Sequence, residues 1–483
     1  MRVFSVLLAA AIVAGCATNP VTGRRELSLM SEAQEVAMGR ELDAQVRREM
    51  GVYDNEDLQR YVRELGEGLA RRSQRPNLPW SFAVVDSPAV NAFALPGGFI
   101  YVTRGLLAHL GNEAQLVGVL GHEIGHVTAR HSAQQYTRSM GASIGVLVGS
   151  IFVPEVRPFA DLAESGLGVL FLKFGRDDEL QADALGAEYA AGGGWEPEEV
   201  PKFLTTLARI AEATDRNGVP NWLQTHPQPE NRAARVAEAV AKVRTPKAAG
   251  EWRVDRDGYL ARIDGLVFGD NPEDGIVRGN AFLHPPLRFA IEFPSGWEIT
   301  NSDEQVVAQE PGNKVYMVLR TIEQAPGQPA ALDRVAQDHM RKSGYKQTDA
   351  RMSTVNGLQA LLGSYEGNAS GIGRVMARGA HVPLAREIFF VGGIAPPELF
   401  PRVSPDFDRA IQTFRQMSQA EADAVEPNLL DLYTVREGDT WQSISQRAGG
   451  GLVSAAALAV MNGHAIDAQP RPGERIKIVV PGS

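Results

Sequence analysis

The spacing of apolar residues divides the chain into three stretches of different character. In the first, apolar positions recur every three or four residues, the period of an amphipathic helix. This pattern predicts helices over 32–50, 58–71, 114–136, 177–191, 201–214 and 231–243. Ser31 with Gln34 three residues on is a capping box for the first helix. Gly192-Gly193-Gly194 stops the fourth, and Pro201 stands in the first turn of the fifth, where proline is tolerated. Residues 82–85 and 99–102 read as short strands, the second after the turn Pro96-Gly97-Gly98. Residues 30–245 therefore form one mainly helical unit with a small sheet. Two apolar runs inside it, 142–153 and 166–174, fall short of the roughly 20 residues that span a bilayer. They read as buried helix, with an active-site lid or a lipid contact as the other readings.

Composition changes over 246–284, a connector. Strand-like patterns at 287–293, 315–321 and 387–392 then alternate with helical ones at 333–343 and 406–417. They predict a separate α+β domain over 285–418. His284, His339 and His381 are scattered through it and read as structural. Residues 419–431 form a linker, and 432–481 a third, small unit.

A chain of 483 residues has room for this, at about 150 residues per domain. Its 44% hydrophobic content excludes wholesale disorder. The net charge of −10 argues against nucleic acid as a partner. Cys16 is the one cysteine, so neither an internal disulfide nor a thiolate metal cage is available. Any metal is held by His, Asp or Glu. Arg2 precedes an apolar run over 3–13 that is broken only by Ser5, the form of a secretory signal. Val13-Ala14-Gly15-Cys16 resembles a bacterial lipobox. That resemblance implies a lipoprotein signal peptide over 1–15, lipidation of Cys16 and a lipid-anchored tether over 16–29. Ala17 follows in place of aspartate, which points to the outer membrane, facing the periplasm. A plain secretory signal with a chance cysteine is the other reading.

The chemistry lies in His122-Glu123-Ile124-Gly125-His126, the pattern H-E-x-x-H. Four helical residues turn through about 400°, so the two imidazoles lie about 40° apart, one turn from each other. Both can reach one Zn²⁺. Glu123 is placed to take a proton from metal-bound water. A catalytic zinc takes a third protein ligand and keeps one position open. Glu179-Leu180-Gln181-Ala182-Asp183 puts two carboxylates on one helix face. Glu179 serves as the third ligand, and Asp183 accepts the free N–H of a zinc-bound histidine. The alternative is a solvated acidic face. His131, about 140° round the helix from His126, reads as structural.

These motifs resemble the HtpX/BepA-like zinc metallopeptidases, gluzincins of the family of the CAAX prenyl endopeptidase, in their periplasmic lipoprotein branch. Asn19 to Arg24, Asn91 to Gly98, Arg176 to Asp183, and Thr225-His226-Pro227 with Arg232 carry the resemblance, which covers about 19–240. It implies one catalytic Zn²⁺ on His122, His126 and Glu179. Glu123 is then the general base and afterwards the acid. His226 is the second catalytic residue, either an oxyanion donor or a resting-state zinc ligand. Asn91, Ala92 and Phe93 match the edge strand that pairs with an extended substrate. The implied activity is zinc-dependent endoproteolysis in the periplasm, on unfolded or misfolded envelope proteins, including outer-membrane β-barrels. A peptidoglycan-directed hydrolase and a non-enzymatic chaperone or binding lipoprotein are the other readings. The gluzincin ligand set argues against the first and the intact Glu123 against the second. Finally, Tyr433 to Thr440, Leu458 to Gly463 and Pro472 to Ile478 resemble a LysM domain, a βααβ module. That resemblance implies peptidoglycan as a partner, or a module that only packs on its neighbours.

Overall fold

A computed structural model describes residues 16–138, 174–213, 222, 226, 232–243, 252–302, 305–322 and 331–482. The signal over 1–15, the apolar run 142–153 and all of 166–174 except Phe174 lie outside the described residues. The chain forms two compact units, one of Met1–Gly269 with Asn428–Pro481, the other of Asp270–Pro427 with the last two residues.

The first unit opens with a hairpin of β1 (Cys16–Thr18) and β2 (Arg25–Leu27). α1 (Glu32–Glu49) starts at the expected capping box of Ser31 and Gln34, and α2 (Glu56–Ala70) is capped by Asn55. A three-stranded sheet follows, of β3 (Ser81–Val85), β4 (Ala92–Leu95) and β5 (Phe99–Thr103). β5 is central, parallel to β3 and antiparallel to β4, which leaves β4 at an edge. The β4–β5 turn requires glycine: Gly97 has φ 82°, and a Cβ there would lie 2.6 Å from the Val36 Cα. Helices α3 (Arg104–His109), α4 (Glu113–Thr128), α5 (Arg176–Gly193), α6 (Glu199–Ala213), α7 (Arg232–Val243) and α8 (Arg256–Ile263) make up the rest, with β6 (Val267–Phe268).

Two expectations change here. The helix expected over 114–136 is broken: α4 ends at Thr128, Arg130 takes φ 61°, and 131–138 form a new helical stretch. Side chains distant in sequence hold the last carbonyls of α4. Arg75 donates to Val127 O (2.9 Å) and Asn19 to Ala129 O (3.2 Å). Arg130 is itself tied to Glu35 and to Met30 O, both at 2.6 Å. The apolar period runs through the break and does not mark it. The stretch 16–29, expected as a tether, is folded, with Asn19 buried against the end of α4.

The second unit carries β7 (Ile276–Arg278), β8 (Ala281–His284), β9 (Phe289–Glu292), β10 (Glu298–Asn301), β11 (Val306–Gln309), β12 (Tyr316–Ile322) and α9 (Leu332–Lys342). It continues with β13 (Tyr345–Val355), β14 (Leu358–Ala369), β15 (Gly373–Leu384), β16 (Glu387–Ala395), α10 (Phe400–Thr413), β17 (Arg415–Gln416) and α11 (Gln419–Asp423). An antiparallel sheet of order β10-β11-β12-β16-β15-β14-β13 stands beside a smaller one of order β17-β9-β8-β7. The unit is α+β, and wider than the 285–418 expected.

Its histidines are structural in an ordered way. Arg320 donates to His339 Nε2 (2.6 Å), and His339 Nδ1 meets His381 Nε2 (2.9 Å). Burial, with Arg320 nearby, holds His339 down to about 4 and His381 to about 3. In an unfolded chain each titrates near about 6.5. As pH falls below that value the unfolded chain gains protons that the folded unit does not, so stability is lost. The melting temperature of this unit is therefore expected to fall between about pH 6.5 and pH 5, and His381→Leu to flatten that fall. An unchanged pH profile in the variant would contradict the pair's role.

The C-terminal module has the expected βααβ order: β18 (Asn428–Thr434), α12 (Trp441–Arg447), α13 (Ala455–Met461) and β19 (Arg475–Val480). Thr440 caps α12. β18 lies between β19 and β6. The sequence suggests a separate third unit, yet the hydrophobic core of the module is continuous with that of the first unit.

Candidate metal centre

α4 supplies the first two donors. Asn112 caps it by accepting from Gln115 N (2.9 Å), and all of its residues are buried. His122 and His126, one turn apart, bring their Nε2 atoms to 3.0 Å from each other. α5 must come very close to add a carboxylate, and small residues allow it. A Cβ on Gly121 would sit 3.0 Å from Gly186, one on Gly125 would sit 3.1 Å from Ala182, and one on Gly186 would sit 2.9 Å from His122 N. Glu179 thereby places Oε1 3.5 Å from His126 Nε2 and Oε2 3.7 Å from His122 Nε2. The fourth donor is His226, whose Nδ1 is 2.9 Å from Glu179 Oε1 and 3.3 Å from His122 Nε2.

One donor atom from each of His122, His126, Glu179 and His226 lies within 4.8 Å of all the others. Tetrahedral zinc with bonds of about 2.0–2.1 Å sets its donors roughly 3.3 Å apart. The donor set and its spacing fit Zn²⁺.

A second layer orients these donors. His122 Nδ1–H donates to Asp183 Oδ1 (2.9 Å). Arg232 grips the same carboxylate with two hydrogen bonds, at 2.7 and 2.8 Å, and also lies 2.9 Å from Glu179 Oε2. Burial alone would raise the Asp183 pKa, but the Arg232 guanidinium and His122 hold it below the usual range. His126 Nδ1 meets His131 Nδ1 (2.9 Å), and His131 Nε2 meets Gln181 Oε1 (3.0 Å). With His126 Nε2 facing the donor group, the network assigns the protons: His126 Nδ1–H to His131, and His131 Nε2–H to Gln181. The break after α4 is what brings His131 round to His126. His131→Ala is expected to weaken zinc binding about 10–100-fold, read by competition with a chelator. Unchanged affinity would contradict this part of the geometry.

Glu123 is fully buried, and neither carboxylate oxygen has a hydrogen-bond partner among the described residues. The His226 Nε2 is 3.6 Å from it. A buried carboxylate left without donors is costly unless a ligand completes it. Rings close the site: Phe174 stacks on His126 at 4.0 Å between centroids, and Trp222 stacks on His226 at 4.8 Å. β4 packs against α4. Asn91, Ala92 and Phe93 are buried at this edge, and Val90 O accepts from Trp222 N (3.1 Å). Thr225 and Pro227 lie outside the described residues, as does the side chain of Cys16.

The sequence assigned no site role to Phe174, Trp222, Gln181 or Arg232, and took His131 as merely structural. Arg232 carried one signal, its place in the matched motif. Gln181 likewise stands inside the matched stretch Arg176 to Asp183, and Phe174 ends the run 166–174 for which an active-site lid is one reading; Trp222 lacks any local pattern.

The family model for peptidase family M48 matches residues 56–240, and that for the LysM domain matches 433–479. A beta-barrel assembly-enhancing protease of Yersinia pestis is 30% identical over 348 residues, 66% of this chain and 70% of that protein. The beta-barrel assembly-enhancing protease of Escherichia coli K12 is 27% identical over 325 residues, and the match spans 63% of this chain and 66% of that protein's length. The mitochondrial metalloendopeptidase OMA1 of Arabidopsis thaliana is 32% identical over 210 residues, 42% of this chain and 41% of that one. With its histidine and glutamate donors in place, the chain belongs to peptidase family M48, as a member with a C-terminal LysM domain.

Proposed function

We propose that this chain is a zinc-dependent metalloendopeptidase of the bacterial periplasm that acts in quality control of envelope proteins. One observation carries the activity: a buried, fully oriented set of His122, His126, Glu179 and His226 stands beside the carboxylate of Glu123, which has no hydrogen-bond partner among the described residues. A bound zinc ion supplies Lewis acidity, polarising a carbonyl and lowering the pKa of water towards about 7. The chain does the rest. Glu123 takes the proton from the attacking water and returns it to the leaving amine. Asp183 and Arg232 hold His122 in one tautomer, and His131 with Gln181 does the same for His126.

His226 acts as a resting-state ligand. Its Nδ1 sits within the donor group, which closes the position that a substrate needs. Substrate enters extended along the free edge of β4, at Asn91, Ala92 and Phe93, through main-chain hydrogen bonds. The hydrogen bond from Trp222 N to Val90 O, beside β4, supports this reading.

The substrates are unfolded or misfolded envelope proteins. The names of the relatives, beta-barrel assembly-enhancing proteases, point to the assembly of β-barrels. Cys16, which follows Ala14-Gly15, is the lipidation site, and the anchor lies in the outer membrane. No described helix is long and apolar enough to cross a membrane. The LysM match makes peptidoglycan a further partner. Casein and purified murein tested side by side separate the two hydrolase readings. Casein cleavage that stops on chelation is the expected result. Release of murein fragments with casein left intact would make the chain a cell-wall hydrolase.

A further inference from the structure

Lys477, on β19 of the LysM module, has its whole side chain buried. Its Nζ donates to Ala108 O (2.8 Å) and Leu110 O (2.7 Å). Those carbonyls end α3 and lead directly to Asn112, the cap of α4. Arg256 bridges the same two elements, donating to Gly111 O (3.2 Å) and to Arg475 O (2.8 Å). Two basic side chains, Lys477 and Arg256, therefore tie the α3–α4 turn to β19.

Backbone pairing adds to the tie. Leu429 pairs with Val267, Gly265 N donates to Leu430 O (2.9 Å), and Leu430 N donates to Leu266 O (2.8 Å). Apolar contact completes it, since Trp441, Leu458 and Ile476 share one core with Leu107, Leu116 and Leu207. Burial pushes the Lys477 amine well below the usual lysine range, and so polar a group stays buried only where acceptors meet it, here the carbonyls of Ala108 and Leu110. A module hung on a linker to reach for glycan would have no use for such a residue. Domains that move independently share small polar interfaces instead.

We propose that the LysM module is a structural brace of the peptidase unit, in which Lys477 grips the α3–α4 turn and so sets the start of the helix that bears His122, Glu123 and His126. The partner of this face of the module is the chain's own turn at residues 108–112. The inference does not depend on the reaction that the site catalyses.

Amide hydrogen exchange on the full chain tests it. Lys477→Met keeps the apolar stem and removes the donors. Two buried carbonyls are then left unpaired, and exchange across 104–128 is expected to rise about tenfold or more. Arg256→Gln removes the more exposed tie and is expected to give a smaller rise in the same segment; if Lys477→Met yields no folded chain, this variant decides. Exchange over 104–128 at the wild-type rate in the deciding variant, with protection lost only over 428–480, would overturn the brace.

Discussion

Glu123→Gln is expected to abolish casein cleavage, by about 10²–10⁴-fold or more, while zinc stays bound. Glutamine keeps the shape of the side chain and loses the proton acceptor. Glu123 lies outside the donor group of His122, His126, Glu179 and His226, so the metal should be retained at the wild-type level. Its carboxylate is fully buried and has no hydrogen-bond partner among the described residues, so structure alone gives it no purpose. No hydrogen bond is lost in the variant, only the longer charge contact with His226 Nε2 at 3.6 Å. Initial rates and bound metal, measured on the same sample, check both halves. Near-wild-type cleavage would remove Glu123 from the mechanism.

His226→Ala is expected to do the opposite and speed casein cleavage by about tenfold or more. With His226 in the fourth position the donor set is closed, and a substrate binds only when the imidazole swings away. The apparent rate is then reduced by the fraction of chains that are open, and deleting the latch removes that penalty. The closed state is well held. Trp222 stacks on the imidazole, His226 N donates to Trp222 O (2.8 Å), and Arg232 donates to His226 O (3.3 Å). If His226 instead stabilises the oxyanion, its loss slows cleavage by about 10²–10³-fold. The sign of the change decides between the two roles.

What was legible in the sequence follows from how local each signal is. H-E-x-x-H is a four-residue spacing on one helix, and Glu179 with Asp183 repeats that spacing on another. Both pairs read directly from the period of the helix. His226 and Arg232 meet them across more than 45 residues of chain, through Glu179 and Asp183, and only the resemblance to a known family pointed there. His131 was misplaced because the break after Thr128 is imposed by Arg75, Asn19 and Glu35, which no local pattern connects to it.

The second unit shows the same limit. β12 and β16 are rich in apolar residues and are expected as strands, whereas β13 is mostly exposed and carries too few apolar positions to stand out. In the LysM module, Arg475-Ile476-Lys477-Ile478 alternates like a strand with one wet face. The structure buries both faces, because β19 packs on the peptidase helices as well as on its own module. A buried lysine is the residue that such a pattern hides.

The most direct test of the metal centre is the zinc content of the purified wild-type chain, set beside that of His122→Ala. Four oriented donors predict one zinc per chain in the wild type and a large loss in the variant. A wild-type chain that takes up no zinc, even when zinc is supplied at neutral pH, would contradict the assignment of these four residues as a metal site.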